Sequence, residues 1–274
     1  MPLIDPLKVA EIIKQVAQDK IVPRFQGLAE DEISTKTGPS DLVTIADLEA
    51  EIELTRYFKD ILPSSQVVGE EAVSKNEASM DSLGRESDPI WVIDPVDGTY
   101  NFAHGKPVFA TIVALVQGDE VIQGWIYDIP NDRFAIAEQG SGVELVGQSV
   151  KYPEMTTPLS EAKGFISRKF LPENLKTKLK PVLENEFGDI ETYLCCAHEY
   201  LDILAGKAHF SLYSRIRPWD HLAGAMMLRE AGGVTKKWDN SPYIASDQRG
   251  GVICAANDDI WQNIYDLLLK DHIN

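Results

Sequence analysis

The segment Ile90-Trp91-Val92-Ile93-Asp94-Pro95-Val96-Asp97-Gly98-Thr99-Tyr100-Asn101 runs from apolar residues into two acids, a proline and a Gly-Thr pair. The β-rich stretch Ile90 to Ile93 predicts a buried strand, and Pro95, which has no amide hydrogen, predicts that its pairing ends there. Asp94 and Asp97 then fall just past a strand end. Two carboxylates three residues apart repel unless a countercharge lies between them, and hard divalent cations such as Mg2+ take oxygen ligands of this kind. Gly98 and Thr99 offer backbone N–H groups where a short helix can begin, the geometry that receives phosphate. Adjacent metal and phosphate sites are one reading; a plain polar turn uses the same Asp and Gly.

Spacing removes several competing chemistries. A calcium EF-hand loop needs acids at every second position and a closing Glu, a register that Asp94 and Asp97 miss. An aspartyl-phosphate motif of the Asp-x-Asp-x-Thr kind fails because the second Asp is three residues on and Thr99 five. His198-Glu199 matches the first half of a zinc-protease helix, but Asp202 stands where the second His belongs. Cys195, Cys196 and Cys254 are odd in number, with no zinc or redox spacing, and fit buried thiols in a reducing compartment.

Three more segments extend the pattern: Asp41-Leu42-Val43-Thr44-Ile45-Ala46-Asp47 opening a helix, Gly69-Glu70-Glu71 after the apolar run Gln66 to Val68, and Arg217-Pro218-Trp219-Asp220-His221-Leu222 opening another helix. With Asp94 to Asn101 they resemble, in order and approximate spacing from Lys36 to Gly233, the inositol monophosphatase family. The resemblance implies an α/β layered α/β/α/β/α sandwich of the inositol monophosphatase/fructose-1,6-bisphosphatase type, and a lithium-sensitive phosphatase using two to three Mg2+ ions.

By position, the resemblance makes Glu70, Asp94 and the Val96 carbonyl ligands of one ion and Asp94, Asp97 and Asp220 ligands of a second. Glu70 helps hold a weaker third. Thr99 and Asp47 orient the attacking water, and Glu71 supports the ligands from behind. Gly98 and Thr99 cradle phosphate, and Lys36 is a basic group beside the metals. Cys196 and Tyr213 fall in the substrate region. The expected reaction is direct attack of metal-activated water on a phosphate monoester of a small polyol or sugar, with neither Ser nor Cys as nucleophile.

Each assignment competes with a structural use. Thr44 and Asp47 match a capping box, Asp220 and Thr99 are common helix caps, Glu70-Glu71 can be a solvated pair, and Lys36 can be a surface charge. Arg215 and Arg217, just before Asp220, can meet a second phosphate or be exposed loop charges. Inositol-preferring relatives commonly carry Glu where this chain has Tyr213, which keeps fructose-1,6-bisphosphatase, histidinol-phosphate phosphatase and 3'-nucleotide phosphatase open. A non-catalytic metal-binding or regulatory protein is the alternative outside enzymes.

The surrounding elements must position these groups. At 274 residues and 44% hydrophobic, the chain supports one phosphatase domain over 1–274, with lobes 1–150 and 151–274 and the site between them. Helices are expected over Leu7 to Phe25, Thr44 to Leu62, Pro172 to Glu186, Glu199 to Ala205, Trp219 to Glu230 and Asp258 to His272. An antiparallel meander is expected over Phe109 to Val116, Val121 to Tyr127 and Phe134 to Glu138, and strands at Phe165-Ile166, Glu191 to Leu194, Ala208 to Tyr213 and Val252 to Ala255. Lys75 to Asp88 reads as a mobile loop. The formal charge of -17 argues against a nucleic-acid surface. No signal-like or membrane-spanning segment is apparent, so a cytoplasmic protein is expected, and the resemblance adds a homodimer.

Overall fold

A computed structural model describes residues 4–38, 41–85, 88–150 and 158–270. A short hairpin pairs β1 (Ile33–Gly38) with β2 (Asp41–Thr44). Next comes a seven-stranded sheet whose strands lie in chain order: β3 (Gln66–Gly69), β4 (Ile90–Asp97), β5 (Ala110–Gln117), β6 (Glu120–Asp128), β7 (Arg133–Glu138), β8 (Gly142–Leu145) and β9 (Gln148–Val150). Only β3 and β4 are parallel; the remaining pairs are antiparallel. A five-stranded sheet follows, built from β10 (Lys163–Ile166), β11 (Asp189–Glu191), β12 (Phe210–Tyr213), β13 (Val234–Lys237) and β14 (Val252–Ala255) in the order β11-β10-β12-β14-β13.

Among the described residues eight α-helices complete the fold: α1 (Pro6–Val16), α2 (Ile45–Ile61), α3 (Glu70–Ser74), α4 (Thr99–Ala103), α5 (Glu173–Asn185), α6 (Cys196–Leu204), α7 (Pro218–Glu230) and α8 (Asp258–Leu268). The two-residue alternation of strands distributes them in layers. Trp91, Ile93, Val113 and Leu115 share a core with Ile13 of α1 and Leu54 and Phe58 of α2. Ile90, Val92, Ile112 and Ala114 point the other way, onto Leu222 and Met226 of α7 and Leu201 of α6. The five-stranded sheet packs its Phe210, Leu212 and Ile253 against Leu179 of α5 and Trp261 of α8. The stack is therefore α/β/α/β/α, with α6 and α7 sandwiched between sheets. Among the described residues no helix is long and apolar enough to cross a membrane.

Several expectations change. Pro95 does not end β4: the strand continues to Asp97 through a bulge, with Asp94 opposite Ile112 and Asp97 opposite Ala110. A bulge is where a sheet tolerates a residue without an amide hydrogen. Asp41 to Val43 form a strand rather than the start of α2, and Glu70-Glu71 begin a helix. The first helix stops at Val16 and continues as a π turn over Ala17–Ile21 and a 3-10 turn over Val22–Arg24. The expected loop after Lys75 is anchored: Leu83 is buried, Gly84 N donates to Gly118 O, and Gln248 Nε2 donates to Met80 O. Helix α6 starts at Cys196, three residues early, and β11 ends at Glu191, where the strand was expected to begin. The C-terminal end of the last expected helix lies outside the described residues.

Candidate active site

Strand β3 delivers the chain to α3 through Gly69, where a side chain would collide with Glu51, its Cβ lying 2.2 Å from Glu51 Cδ. Glu51 is in turn the anchor of α3, accepting from Glu71 N and Ala72 N at 2.8 Å each. Those amides are unpaired at a helix start, and a carboxylate there also suits the helix dipole. Glu70 and Glu71 are thereby presented to Lys36 of β1, whose Nζ lies 2.7 Å from each. Burial pulls the Lys36 ammonium down, but the charges of Glu70 and Glu71 outweigh it and hold the group protonated.

The β4 bulge turns Asp94, Val96 and Asp97 toward the same cleft. Asp94 Oδ1 accepts from Val96 N at 3.0 Å. Asp97 Oδ2 accepts from Ala197 N at 2.6 Å and from Cys195 Sγ at 3.1 Å, so it also caps α6. Gly98 follows at φ +89°, a conformation that disfavours side chains, and an added Cβ would lie 2.7 Å from Val108 O. The chain then enters α4 at Thr99. Thr99 Oγ1 lies 3.0 Å from Asp47 Oδ1 and 2.9 Å from Val96 O.

Helix α7 places Asp220 in its first turn. Carboxylate oxygens of Glu70, Asp94 and Asp220 come within 4.8 Å of one another. A cleft of about 390 Å³ is lined by these three together with Val96, Asp97, Gly98, Thr99 and Arg215. Burial, then the charge of Glu70 and that of Asp97, pushes Asp94 and Asp220 well above the ordinary carboxylate range. An all-oxygen donor set of converging acids, with the Lys36 ammonium beside Glu70, fits a hard divalent cation such as Mg2+. Its charge would let the cluster ionise together.

Beside the cleft lies a half-open pocket of about 190 Å³ lined by Cys196, Glu199, Tyr213, Ser214, Arg215 and His221, among others. Cys196 and Tyr213, both expected near substrate, therefore face one cavity next to Asp220. The Tyr213 hydroxyl feels the charge of Glu199 but makes no hydrogen bond of ordinary length. Arg215 lines both cavities, whereas Arg217 packs against Trp219, its guanidinium carbon 5.8 Å from the ring centre. Sequence reasoning missed Glu51, Glu199 and the capping role of Asp97. Glu51 had a signal: it lies one turn beyond Asp47, among Ala46, Ala50 and Leu54 on the buried face of α2.

Comparison with known proteins agrees with this geometry. The model of the inositol monophosphatase family matches residues 5–272, and the chain belongs to that family. It is 28% identical over 237 residues to the inositol-1-monophosphatase of Bacillus subtilis (strain 168), covering 85% of this chain and 86% of that one. It is 29% identical over 204 residues to a fructose-1,6-bisphosphatase/inositol-1-monophosphatase of Thermotoga maritima, covering 74% of each. A Thermotoga maritima IMPase structure superposes with a TM-score of 0.81 at 24% identity, covering 97% of both chains, a likeness of fold. The protein is a phosphoric monoester hydrolase of this family, and its reaction is Mg2+-dependent hydrolysis of a phosphate monoester.

Proposed function

We propose that the substrate is a phosphate monoester of a small polyol or sugar, inositol 1-phosphate in type, hydrolysed by direct attack of water within one phosphatase domain of two lobes. The observation that carries the reading is the convergence of Glu70, Asp94 and Asp220 beside the Thr99–Asp47 hydrogen bond. Two to three Mg2+ ions held by Glu70, Asp94, Val96 O, Asp97 and Asp220 would acidify the attacking water and neutralise the phosphoryl oxygens. The Gly98 and Thr99 amides receive phosphate, and Lys36 and Glu71 steady Glu70. Thr99 Oγ1, donating to Asp47, keeps its lone pairs for a proton from the water. A cation on the Val96 carbonyl would remove the competing acceptor and commit that hydroxyl to Asp47. The leaving alcohol occupies the pocket of Cys196 and Tyr213. Lithium sensitivity, a homodimer and a cytoplasmic setting are proposed on family membership.

Arg215 favours a second reading, since a guanidinium lining both cavities suits a second phosphate on a sugar bisphosphate. Phosphate release from inositol 1-phosphate, fructose 1,6-bisphosphate, histidinol phosphate and adenosine 3',5'-bisphosphate, with Mg2+ and with chelator, separates these. Fastest Mg2+-dependent release from the inositol ester supports the first reading; preference for the sugar bisphosphate supports the second. Undiminished turnover in exhaustively chelated protein rejects both.

A further inference from the structure

The side pocket holds a second donor cluster of different chemistry. Cys196 Sγ, a carboxylate oxygen of Asp220 and a ring nitrogen of His221 all lie within 4.8 Å of one another. All three residues line this half-open pocket, so a small ion can reach them. The oxygen cluster of Glu70, Asp94 and Asp220 suits a hard cation, but thiolate, imidazole and carboxylate together suit borderline Zn2+. The two clusters share one residue, Asp220.

The imidazole is oriented from behind in the manner of a metal ligand. His221 Nε2 lies 3.1 Å from the Arg215 carbonyl, which can only accept, so Nε2 carries the hydrogen and Nδ1 the lone pair. Tyr200 Oη lies 3.3 Å from Nδ1 and has Cys254 Sγ, at 3.5 Å, as a second partner. Turning that hydroxyl hydrogen to Cys254 frees the Nδ1 lone pair without leaving a buried O–H unmatched, and the ring must then swing off the Tyr200 oxygen, 3.3 Å away, for Nδ1 to reach an ion. Ligand atoms around a tetrahedral Zn2+ lie roughly 3 to 4 Å apart, given bonds of about 2.0 to 2.3 Å, so side-chain shifts of about 1 Å close the site. Water from the pocket completes the fourth position.

We propose that Cys196, Asp220 and His221 form an inhibitory Zn2+ site that competes with the Mg2+ cluster for Asp220. On binding, the Cys196 S–H bond breaks, its proton passes to solvent, and the thiolate sulfur bonds Zn2+; no oxidation or reduction occurs. The inhibition rests on the reading of Asp220 as a Mg2+ ligand. The existence of the zinc site does not.

The test uses the full chain in excess Mg2+, titrated first with Co2+ as a spectroscopic probe and then with Zn2+. One equivalent of Co2+ should give a thiolate-to-cobalt charge-transfer band, bleached by Zn2+. Cys196→Ser should lose the band and bind Zn2+ at least about tenfold more weakly. In turnover assays normalised to each protein's own uninhibited rate, Zn2+ should raise the Mg2+ requirement of the wild type and be at least about tenfold less potent on the variant. Bound Co2+ without a thiolate band in the wild type overturns the site whatever the variant does, as does equal Zn2+ affinity in the two proteins. A thiolate band without Mg2+-competitive inhibition overturns the sharing of Asp220. Failure of the Mg2+ reading itself shows separately, as turnover that needs no Mg2+.

Discussion

Asp47 divides its two carboxylate oxygens between two tasks: Oδ1 faces the Thr99 hydroxyl at 3.0 Å, while Oδ2 accepts from Thr44 N at 2.9 Å and from Thr44 Oγ1 at 2.5 Å. The geometry lets one side chain serve both the helix cap and the proposed proton relay, which were alternatives in the sequence. Asp47→Asn should therefore lose about 1 kcal/mol of stability and about 100-fold in kcat. Thr99→Ala should lose a comparable rate while leaving the α2 cap intact. The double variant should be little slower than either single one, because both belong to one relay. Losses in kcat that multiply across the three variants reject the relay.

Asp94→Asn and Asp220→Asn should each lower kcat by at least about 100-fold, since each removes charge from the cluster that clamps the transition state. In chelated protein the same changes should raise the unfolding midpoint, because ionised acids are costly in this buried group. Folded variants with near-native kcat show the ligand assignment to be wrong.

Glu51 touches no substrate in this reading; it positions Glu70 through the start of α3. Glu51→Gln should raise the Mg2+ concentration for half-maximal activity by about 10- to 100-fold. The kcat at saturating Mg2+ should fall much less. An unchanged Mg2+ requirement in a folded variant shows that α3 holds its place without this carboxylate.

The chelated protein should be most stable below neutrality. Burial and then the charge of Glu70 push Glu71 up to about 8, while burial brings Asp47 and Glu51 to about 6. Each value lies above the unfolded carboxylate's of about 4, so these groups favour the fold when protonated, and that advantage is lost as pH rises from about 4 to about 8. Asp128 has the opposite sign. Burial would raise it, but His198, Arg133 and Asn131 hold it down to about 2, and its contribution, complete above pH about 4, is lost as pH falls through about 2. Thermal midpoints in EDTA should thus peak near pH 4, and Mg2+ should lift the alkaline limb. A midpoint that rises steadily to alkaline pH in EDTA contradicts these assignments.

Tyr213→Phe deletes a hydroxyl that is buried in the side pocket with no hydrogen bond of ordinary length. Contact with a hydroxyl of the leaving alcohol predicts a KM raised about fivefold or more, with kcat nearly unchanged, the mark of uniform binding. A KM equal to wild type on the preferred substrate places the alcohol elsewhere.

The chemistry was legible in the chain because it rests on short segments. Asp94 to Thr99, Glu70-Glu71 and Asp220 each carry acids at an element boundary; apolar periods of two and 3.6 residues marked the strands and helices, while their layering was expected only through the family resemblance those segments carry. Only tertiary structure decided which oxygens converge. Asp220 lies 126 residues beyond Asp94, and α7 brings them together because its two faces are buried against both sheets. Pro95 read as the end of a strand, yet opposite β5 it became a bulge that turns Asp94 and Asp97 into one cleft. Spacing on α2 puts Glu51 on the buried face but does not name its partner: the anchoring of α3 by Glu51, like the meeting of Cys196 with His221, depends on neighbours distant in the chain. Short-range hydrogen-bond preferences and burial periods are properties of a segment; the separation of two carboxylates in a cleft is a property of how segments pack.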